Sequence, residues 1–351
     1  MGMHLYLENF ASSNVQSDYS TLGWGFNGIS GVNVTAPDPV FGGRSSNRVS
    51  YPFSVQGLAF PHGASPTAFA GARFNLFAAA SVAIEFMPTL QQPNSGPPAV
   101  DNRAQVNVAA SLVGNTASIF VYNNAAQIGT VTNVPVPGGG IVYLAALATF
   151  SPTEGSVEVF VGSDSVLTLT NVNTDGFGTG NAVAVVFSAA NQTTMTDVQV
   201  GSGTDGSLTG PLLDPTVLYI APNGNSGAPQ FAANGQAEQW QNDASVPPSA
   251  ANYNSSVTIG QADQTTLAPL PGNVETIMAA ILRANAVGPS SGTHTFTQEI
   301  TSSGTVSTGP SHLLSGVPAY YEAEALVDPA TGVAWTVAGL NAAIRGYTLT
   351  E

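Results

Sequence analysis

A chain of 351 residues is long for one β-sandwich and comfortable for two domains. Hydrophobic residues make up 43% of it, enough for real cores, yet only 8% are charged, against ~25% in an average protein. All six basic residues are Arg and the net charge is −15, which argues against nucleic acid as a partner, because affinity for phosphates comes chiefly from Lys and Arg; the absence of Cys excludes disulfides, zinc thiolates and thiol chemistry.

The opening residues, Met1 to Glu8, lack the basic start and long apolar core of a secretory signal. No window approaches the ~18 uninterrupted apolar residues that a membrane helix requires. The expectation is a soluble protein made without a leader, with no membrane partner. Its surface must be built mostly from Ser, Thr, Asn, Gln, Gly and Ala, a composition fitted to a large permanent assembly or to carbohydrate contact.

In chain order, residues 5–41 are polar and Gly-rich, with Trp24, Phe26 and Ile29 and a turn cluster at Ala36-Pro37-Asp38-Pro39. Short strands are expected at 48–52, 56–60 and 81–86, followed by a Pro/Gly loop at 93–100. From there the apolar residues recur with a period of 2. That pattern predicts strands at 105–113, 117–122, 127–131, 141–150, 156–161, 165–170, 182–188 and 195–200. Strands at ~8–14-residue intervals without helices predict a two-sheet sandwich. Val157, Val159 and Val161 mark the core side of one of them.

A further strand is expected at 217–220. Residues 223–251 are then rich in Asn, Gly, Ser, Gln and Pro, with Trp240 as the one apolar anchor. This places a boundary near Pro222, giving domains 1–222 and 223–351. In the second, Val274, Ile277, Met278, Ile281 and Leu282 have the spacing of an amphipathic helix, while 294–300 reads as strand.

The last 32 residues are the most legible. Ala323, Ala325 and Val327 alternate with Glu322, Glu324 and Leu326, and Asp328-Pro329-Ala330-Thr331-Gly332 supplies a turn. Trp335 follows as a core plug. Thr336 is the expected N-cap of one helical turn through Ala338, Leu340 and Ala343. Gly346 ends that turn, and 347–350 alternates again.

Candidate chemistry is sparse. His4, His62, His294 and His312 are isolated and lack metal-type spacing. Gly176-Phe177-Gly178-Thr179-Gly180 follows no parallel strand and precedes no helix, so it reads as a hairpin loop and not a phosphate cradle. Glycosidase chemistry needs two carboxyls facing across a sugar; Glu154 with Glu158, and Glu322 with Glu324, are the available pairs, and both read as wet sheet surface. Asp175 and Asp197 are the candidates for binding Ca²⁺ together with backbone oxygens. Trp24 and Trp240 are the candidate glycan-stacking residues. No catalytic residue, metal site or cofactor is assigned.

Two stretches carry a family resemblance. Val142, residues 155–161 (Gly-Ser-Val-Glu-Val-Phe-Val) and residues 195–200 (Met-Thr-Asp-Val-Gln-Val) place 45–200 among sequences that resemble concanavalin A-like (laminin G-like) jelly rolls. Trp240 with Asp243, Asn252-Tyr253-Asn254, Asp263, Leu270-Pro271, the run from Asp328 to Thr336, and Leu340-Asn341-Ala342 resemble the second half of tailed-bacteriophage virion structural proteins. The jelly-roll lectins' metal-binding Asp/Asn cluster is not recognisable. The resemblance favours strand for 274–284, leaving helix and strand both open there. It implies an all-β chain, a concanavalin A-like jelly-roll sandwich plus a smaller β-sandwich-like domain. By the same resemblance, the chain is a non-enzymatic virion component assembled in the host cytoplasm. Its implied partners are other virion proteins, further copies of itself and host surface glycan; the alternative is a glycan-binding or glycan-cleaving protein.

Overall fold

The computed structural model describes residues 6–8, 25–26, 33–38, 44–49, 56–75, 81–88, 104–113, 115–136, 141–190, 193–202, 210–227, 229–244, 250–289 and 294–351. The chain divides into two compact units, Met1–Val217 and Leu218–Glu351. The first contains β1 (Tyr6–Glu8), β2 (Gly25–Phe26), β3 (Asn33–Asp38), β4 (Arg44–Val49), β5 (Gln56–Ser65), β6 (Thr67–Asn75), β7 (Ser81–Met87), β8 (Val106–Val113), β9 (Thr116–Asn123), β10 (Ala126–Pro135), β11 (Ile141–Thr149), β12 (Gly155–Val161), β13 (Asp164–Val172), β14 (Ala182–Ala190) and β15 (Thr193–Ser202). The second contains β16 (Pro222–Asn225), β17 (Ala232–Asn234), α1 (Gln239–Asp243), β18 (Tyr253–Ser255), β19 (Ala262–Leu267), β20 (Ile281–Ala286), β21 (Thr295–Ser302), β22 (Thr305–Leu313), β23 (Ala319–Glu324), α2 (Val337–Asn341) and β24 (Ile344–Leu349).

The first unit is the expected two-sheet sandwich. One antiparallel sheet runs β13-β12-β11-β6-β15-β4-β3, with β1 also paired to β15, and the other runs β10-β9-β8-β7-β14-β5-β2. The period-2 pattern turns one set of side chains from each sheet inward. Ala68, Ala70, Ala72 and Phe74 of β6 and Val157, Val159 and Val161 of β12 meet Val82, Ile84 and Phe86 of β7 and Val185 and Phe187 of β14. Small and large residues interdigitate: the Phe74 and Phe187 rings lie 6.2 Å apart across the core. At roughly 1.5–3 kcal/mol for each fully buried Val, Ile or Phe, this face outweighs any single surface ion pair, whose contribution is ~0–1 kcal/mol.

The second unit has a five-stranded sheet, β16-β19-β24-β21-β22, and two ribbons, β17-β18 and β20-β23. Leu267 of β19 and Ile300 of β21 are buried in one core with Ile277, Ala325, Trp335, Leu340 and Ala343. The expectations for the turn at 328–332, for Trp335 and for the Thr336 cap are met here. Ala330 N donates to Asp328 Oδ1 at 2.9 Å, and Gly332 takes φ +70, a conformation that a β-carbon disfavours. Trp335 is buried, and its indole N–H donates to Ala325 O at 2.7 Å. Thr336 Oγ1 accepts from Gly339 N at 2.9 Å, capping α2.

Several expectations need correction. Residues 274–280 form neither helix nor ladder, and the strand begins only at Ile281. Ile277 is buried while Met278 is 46% exposed, so the helical spacing does not mark one buried face. Residues 217–220 form no strand, because Val217 N donates to the side chain of Asp197 at 3.0 Å and not to a ladder. The strand 322–327 begins earlier and stops at Glu324, leaving Val327 47% exposed.

Gly346 does not end α2; Ala342 is the C-cap, and Gly346 lies inside β24, where a β-carbon would meet Asp263 O at 2.8 Å. The cluster at 36–38 lies in β3, with its register broken between Thr35 and Asp38. The Gly176–Gly180 loop joins β13 to β14, which belong to different sheets, so it is a crossover and not a hairpin. Residues 50–52 and the loop 93–100 lie outside the described residues.

The cap yields a test. Thr336→Ala is expected to destabilise the second unit by about 1 kcal/mol and Thr336→Ser by much less, read as the denaturation midpoint of Trp fluorescence.

Candidate functional site

The strongest polar constellation lies on the five-stranded sheet of the second unit, and the strand register builds it. Asp263 of β19 is opposite Tyr347 of β24, and Thr265 is opposite Arg345; Gln298 of β21 flanks Tyr347 on the other side. Directly opposed residues share a sheet face. Further along the same face Leu267 and Ile300 enter the apolar core. One face is therefore polar at one end and apolar at the other.

Helix α1 belongs to the polar end. Its entry is fixed by Glu238 N donating to Gln241 Oε1 at 3.2 Å and Trp240 N donating to Asn225 Oδ1 at 3.1 Å. Gln239 Nε2 donates to Phe231 O at 2.7 Å, and Asn242 Nδ2 donates to Tyr253 O at 3.0 Å and Asn254 Oδ1 at 2.9 Å. These bonds tie the helix to the β17-β18 ribbon and bring Asp243 to Arg345 and Tyr347.

The geometry around Asp243 is dense. Its Oδ2 accepts from Arg345 Nη2 at 2.9 Å, and its Oδ1 accepts from Asn254 Nδ2 at 2.9 Å and from the Tyr347 hydroxyl at 3.2 Å. Arg345 Nε donates to Thr265 Oγ1 at 3.2 Å. The Tyr347 hydroxyl is also 3.3 Å from Asp263 Oδ2 and accepts from Asn254 Nδ2 at 3.0 Å. The Phe231 ring meets Tyr347 edge to face at 5.2 Å.

Burial and like charge shape the protonation of this group. Asp263 is 1% exposed and its Oδ1 has no hydrogen-bond partner. Burial, then the neighbouring Asp243, pushes its pKa up to about 7. Burial, then Asp243 and Asp263, raises the Tyr347 phenol well above its ordinary value, so it remains a donor. Burial opposes the charge on Arg345, but Asp243, Tyr347 and Tyr219 outweigh it and hold its pKa above the ordinary value. Two carboxyls and a phenol are ingredients of acid–base chemistry. Here, however, the carboxyls face internal donors, and Asp263 is sealed from solvent.

Trp240 lies half-buried on α1 at this constellation, while Trp24 lies outside the described residues. The Ca²⁺ candidates are held by N–H donors. Asp197 accepts from Arg73 Nε at 2.8 Å and Val217 N at 3.0 Å. Asp175 accepts from Gln105 Nε2 at 2.6 Å, Thr179 N at 2.9 Å and Gly180 N at 2.9 Å. The Gly-rich loop thus turns two of its amides onto its own carboxylate. Among the described residues no three His, Cys, Asp or Glu are grouped to hold a metal. No helix of the described residues is long and apolar enough to cross a membrane.

The acids of the two sequence-suggested pairs have partners or exposure of their own. Glu322 is bound by Arg283 at 2.5 Å, and Glu158 accepts from Ser165 Oγ at 2.7 Å while Glu154 is exposed. His312 is half-buried between Phe296 and Tyr321, with Nε2 3.1 Å from Glu322 O. His4 and the side chain of His62 lie outside the described residues. The convergence of Asp263, Arg345 and Tyr347 was not derivable from spacing. Its faint signal is the alternation Asp263, Thr265, Leu267, which has strand period but polar members.

No family model matches the chain, and no curated protein is similar to it in sequence. Solved structures with some likeness include a sialidase at 11% identity and TM-score 0.38, over 56% of this chain and 18% of that one. A carbohydrate esterase from the Shiga toxin-encoding bacteriophage phi24B is 14% identical at TM-score 0.38, over 58% of this chain and 100% of its own. Peanut lectin is 12% identical at TM-score 0.37, over 57% and 97%. This chain spans less than a fifth of the sialidase. Likeness of this size assigns no activity, ligand or site to the chain.

The ion pair at the constellation is testable. Arg345→Gln leaves Asp243 and Asp263 without their shared cation, and is expected to cost about 2–3 kcal/mol of stability, discounted because Arg345 is 18% exposed. Urea unfolding at pH 7 measures it, and Arg345→Lys should retain part of the loss.

Proposed function

We propose that this chain is a non-enzymatic structural component of a tailed-bacteriophage virion, acting as a homo-oligomer through surface contacts that include host glycan. The single observation that carries the non-enzymatic reading is the disposition of its buried acids. Among the described residues the buried acids are Glu85, Asp175, Asp197, Asp263 and Asp328. Each is hydrogen-bonded within its own chain: Glu85 to Ser188 Oγ, Asp175 to Gln105 Nε2, Asp197 to Arg73 Nε, Asp263 to the Tyr347 hydroxyl and Asp328 to Ala330 N. A hydrolase or lyase needs carboxyls presented to a substrate.

The virion assignment rests on the resemblance carried by Trp240, Asp243, Asn254, Asp263 and the Asp328–Thr336 run. Composition supports it: 8% charged residues suit a surface sheltered by neighbouring subunits. Exposed large apolar residues include Val257, Ile259, Leu313, Val317 and Val333 of the second unit, each more than 60% exposed. Such side chains are the material of subunit contacts.

Glycan contact is favoured by a separate observation. Tyr219 and Tyr253 are 40% and 51% exposed beside the Asn-rich polar constellation, and aromatic faces bordered by amides suit sugar rings.

Light scattering coupled to size exclusion should return a multiple of the chain mass at micromolar concentration. Incubation with bacterial surface polysaccharide should release no new reducing ends. A clean monomer that does not enter particles counts against the structural assignment, and turnover of the polysaccharide ends the non-enzymatic one. On a glycan array, loss of binding in Tyr253→Ala would locate the contact.

A further inference from the structure

Charge and hydrogen-bond counting at the Asp243–Tyr347–Asp263 row leave one proton to be placed. Two carboxylates face a single cation, Arg345, so with both ionised this buried group carries a net charge of −1. The Tyr347 hydroxyl has one hydrogen, yet stands 3.2 Å from Asp243 Oδ1 and 3.3 Å from Asp263 Oδ2. It can serve only one of them well. Asp243 already has Arg345 and Asn254 as donors, while Asp263 Oδ1 has no partner. An ionised carboxylate left in that state is costly.

We propose that Asp263 holds a proton in the folded protein and donates it to the Tyr347 oxygen while Tyr347 donates to Asp243, so that the row is a proton-dependent clasp between the five-stranded sheet and helix α1. With that proton the group is neutral and its hydrogen bonds run in one direction. Without it, a second negative charge sits beside Asp243 on a sealed sheet face. The helix is held to β24 through Asp243, so deprotonation loosens the helix and the strands beneath it together.

The groups facing Asp263 are few; the backbone N–H of Gln264 favours its charged form but is outweighed by burial and Asp243. Asp243 comes from α1, and Arg345 and Tyr347 come from β24. Tyr219, from the segment before β16, acts electrostatically on Arg345. The pKa of about 7 for Asp263 agrees in direction and sets the window. A group whose folded pKa is raised binds more protons in the folded state than in the unfolded one. Its stabilisation is complete below the ordinary aspartate range and is lost as pH rises through about 7. His312, whose pKa burial lowers, has the opposite sign: its effect makes stability rise with pH below its ordinary range, so it cannot produce this loss.

Hydrogen exchange of the 351-residue chain, corrected for intrinsic rates, reads the effect at the amides of β19 and β24. Protection there is expected to fall by roughly tenfold to a hundredfold between pH 5.5 and 8.5, with β8 and β12 in the first unit as internal controls. Asp263→Asn, neutral at every pH, should abolish the fall. Flat or rising protection in the native chain, or an Asp263→Asn variant that keeps the native slope, overturns the proposal. Should that variant fail to fold, carbon-13 carboxyl titration of the native chain decides: an aspartate titrating near neutrality supports the clasp, and none above pH 5 refutes it.

Discussion

Within the second unit a carboxyl group faces a phenol across neighbouring strands, Asp263 against Tyr347, on the very face that elsewhere forms the apolar core. The placement follows from the pleat: once Leu267 points inward, so must Thr265 and Asp263, two and four residues before it. The chain cannot send those polar groups to solvent without also exposing Leu267. It has to satisfy them where they are. Helix α1, the Asn254 amide and the Arg345 guanidinium supply that satisfaction, and the local architecture of the N-terminal half of the unit exists around it.

The first unit meets a related problem on the outside of a sheet. Tyr143, Ala145 and Phe160 point away from the sandwich core yet are buried, with Leu213 packed against them. The segment 210–217 is fixed there by polar contacts. Leu212 N donates to Gln199 Oε1 at 2.9 Å, Gln199 Nε2 donates to Leu212 O at 2.6 Å and to the Tyr143 hydroxyl, and Arg73 reaches Asp214 at 2.8 Å and Pro215 O at 3.0 Å. Asp197, which anchors Arg73, adopts φ +52 at a break in the β6-β15 register. That bulge re-aims a side chain that regular alternation would place elsewhere. The neighbouring hydrogen bonds hold it in an uncommon conformation.

Sequence reading succeeded where apolar alternation and local turn chemistry coincide. Val157, Val159 and Val161 revealed the core face of β12 because their neighbours Ser156 and Glu158 are polar. Thr336 and the Asp328–Gly332 turn were legible because capping and turn geometry depend on residues within a few positions of one another. Strand β19 was missed for the opposite reason. Its inward positions are Asp and Thr, so the hydrophobic pattern is silent, and only tertiary partners from α1 and β24 make such residues acceptable in a core. Residues 217–220 misled because an apolar run predicts extended chain but not a ladder; a side-chain carboxylate took the amide that a neighbouring strand would have used. Gly346 misled because a glycine at a helix end and a glycine under a close strand crossing look alike in sequence.

The same frugality with charge bears on how this molecule makes contacts. Arg73, Arg283 and Arg345, the arginines whose side chains are described, are each 15–18% exposed and each bound to carboxylates of their own chain. Among the described residues, then, none of the arginines presents an unpaired guanidinium. With these arginines paired, the net charge of −15 leaves an unbalanced acidic field, which favours encounter with cationic surfaces and opposes the approach of like copies. Salt weakens that field, because screening acts on exposed charges, while apolar burial and short hydrogen bonds are left nearly unchanged. In the proposed assembly, selectivity would come from shape and from the placement of hydroxyls, amides and the exposed Val, Ile and Tyr side chains, a mode in which slow dissociation of a multivalent contact contributes more than fast encounter.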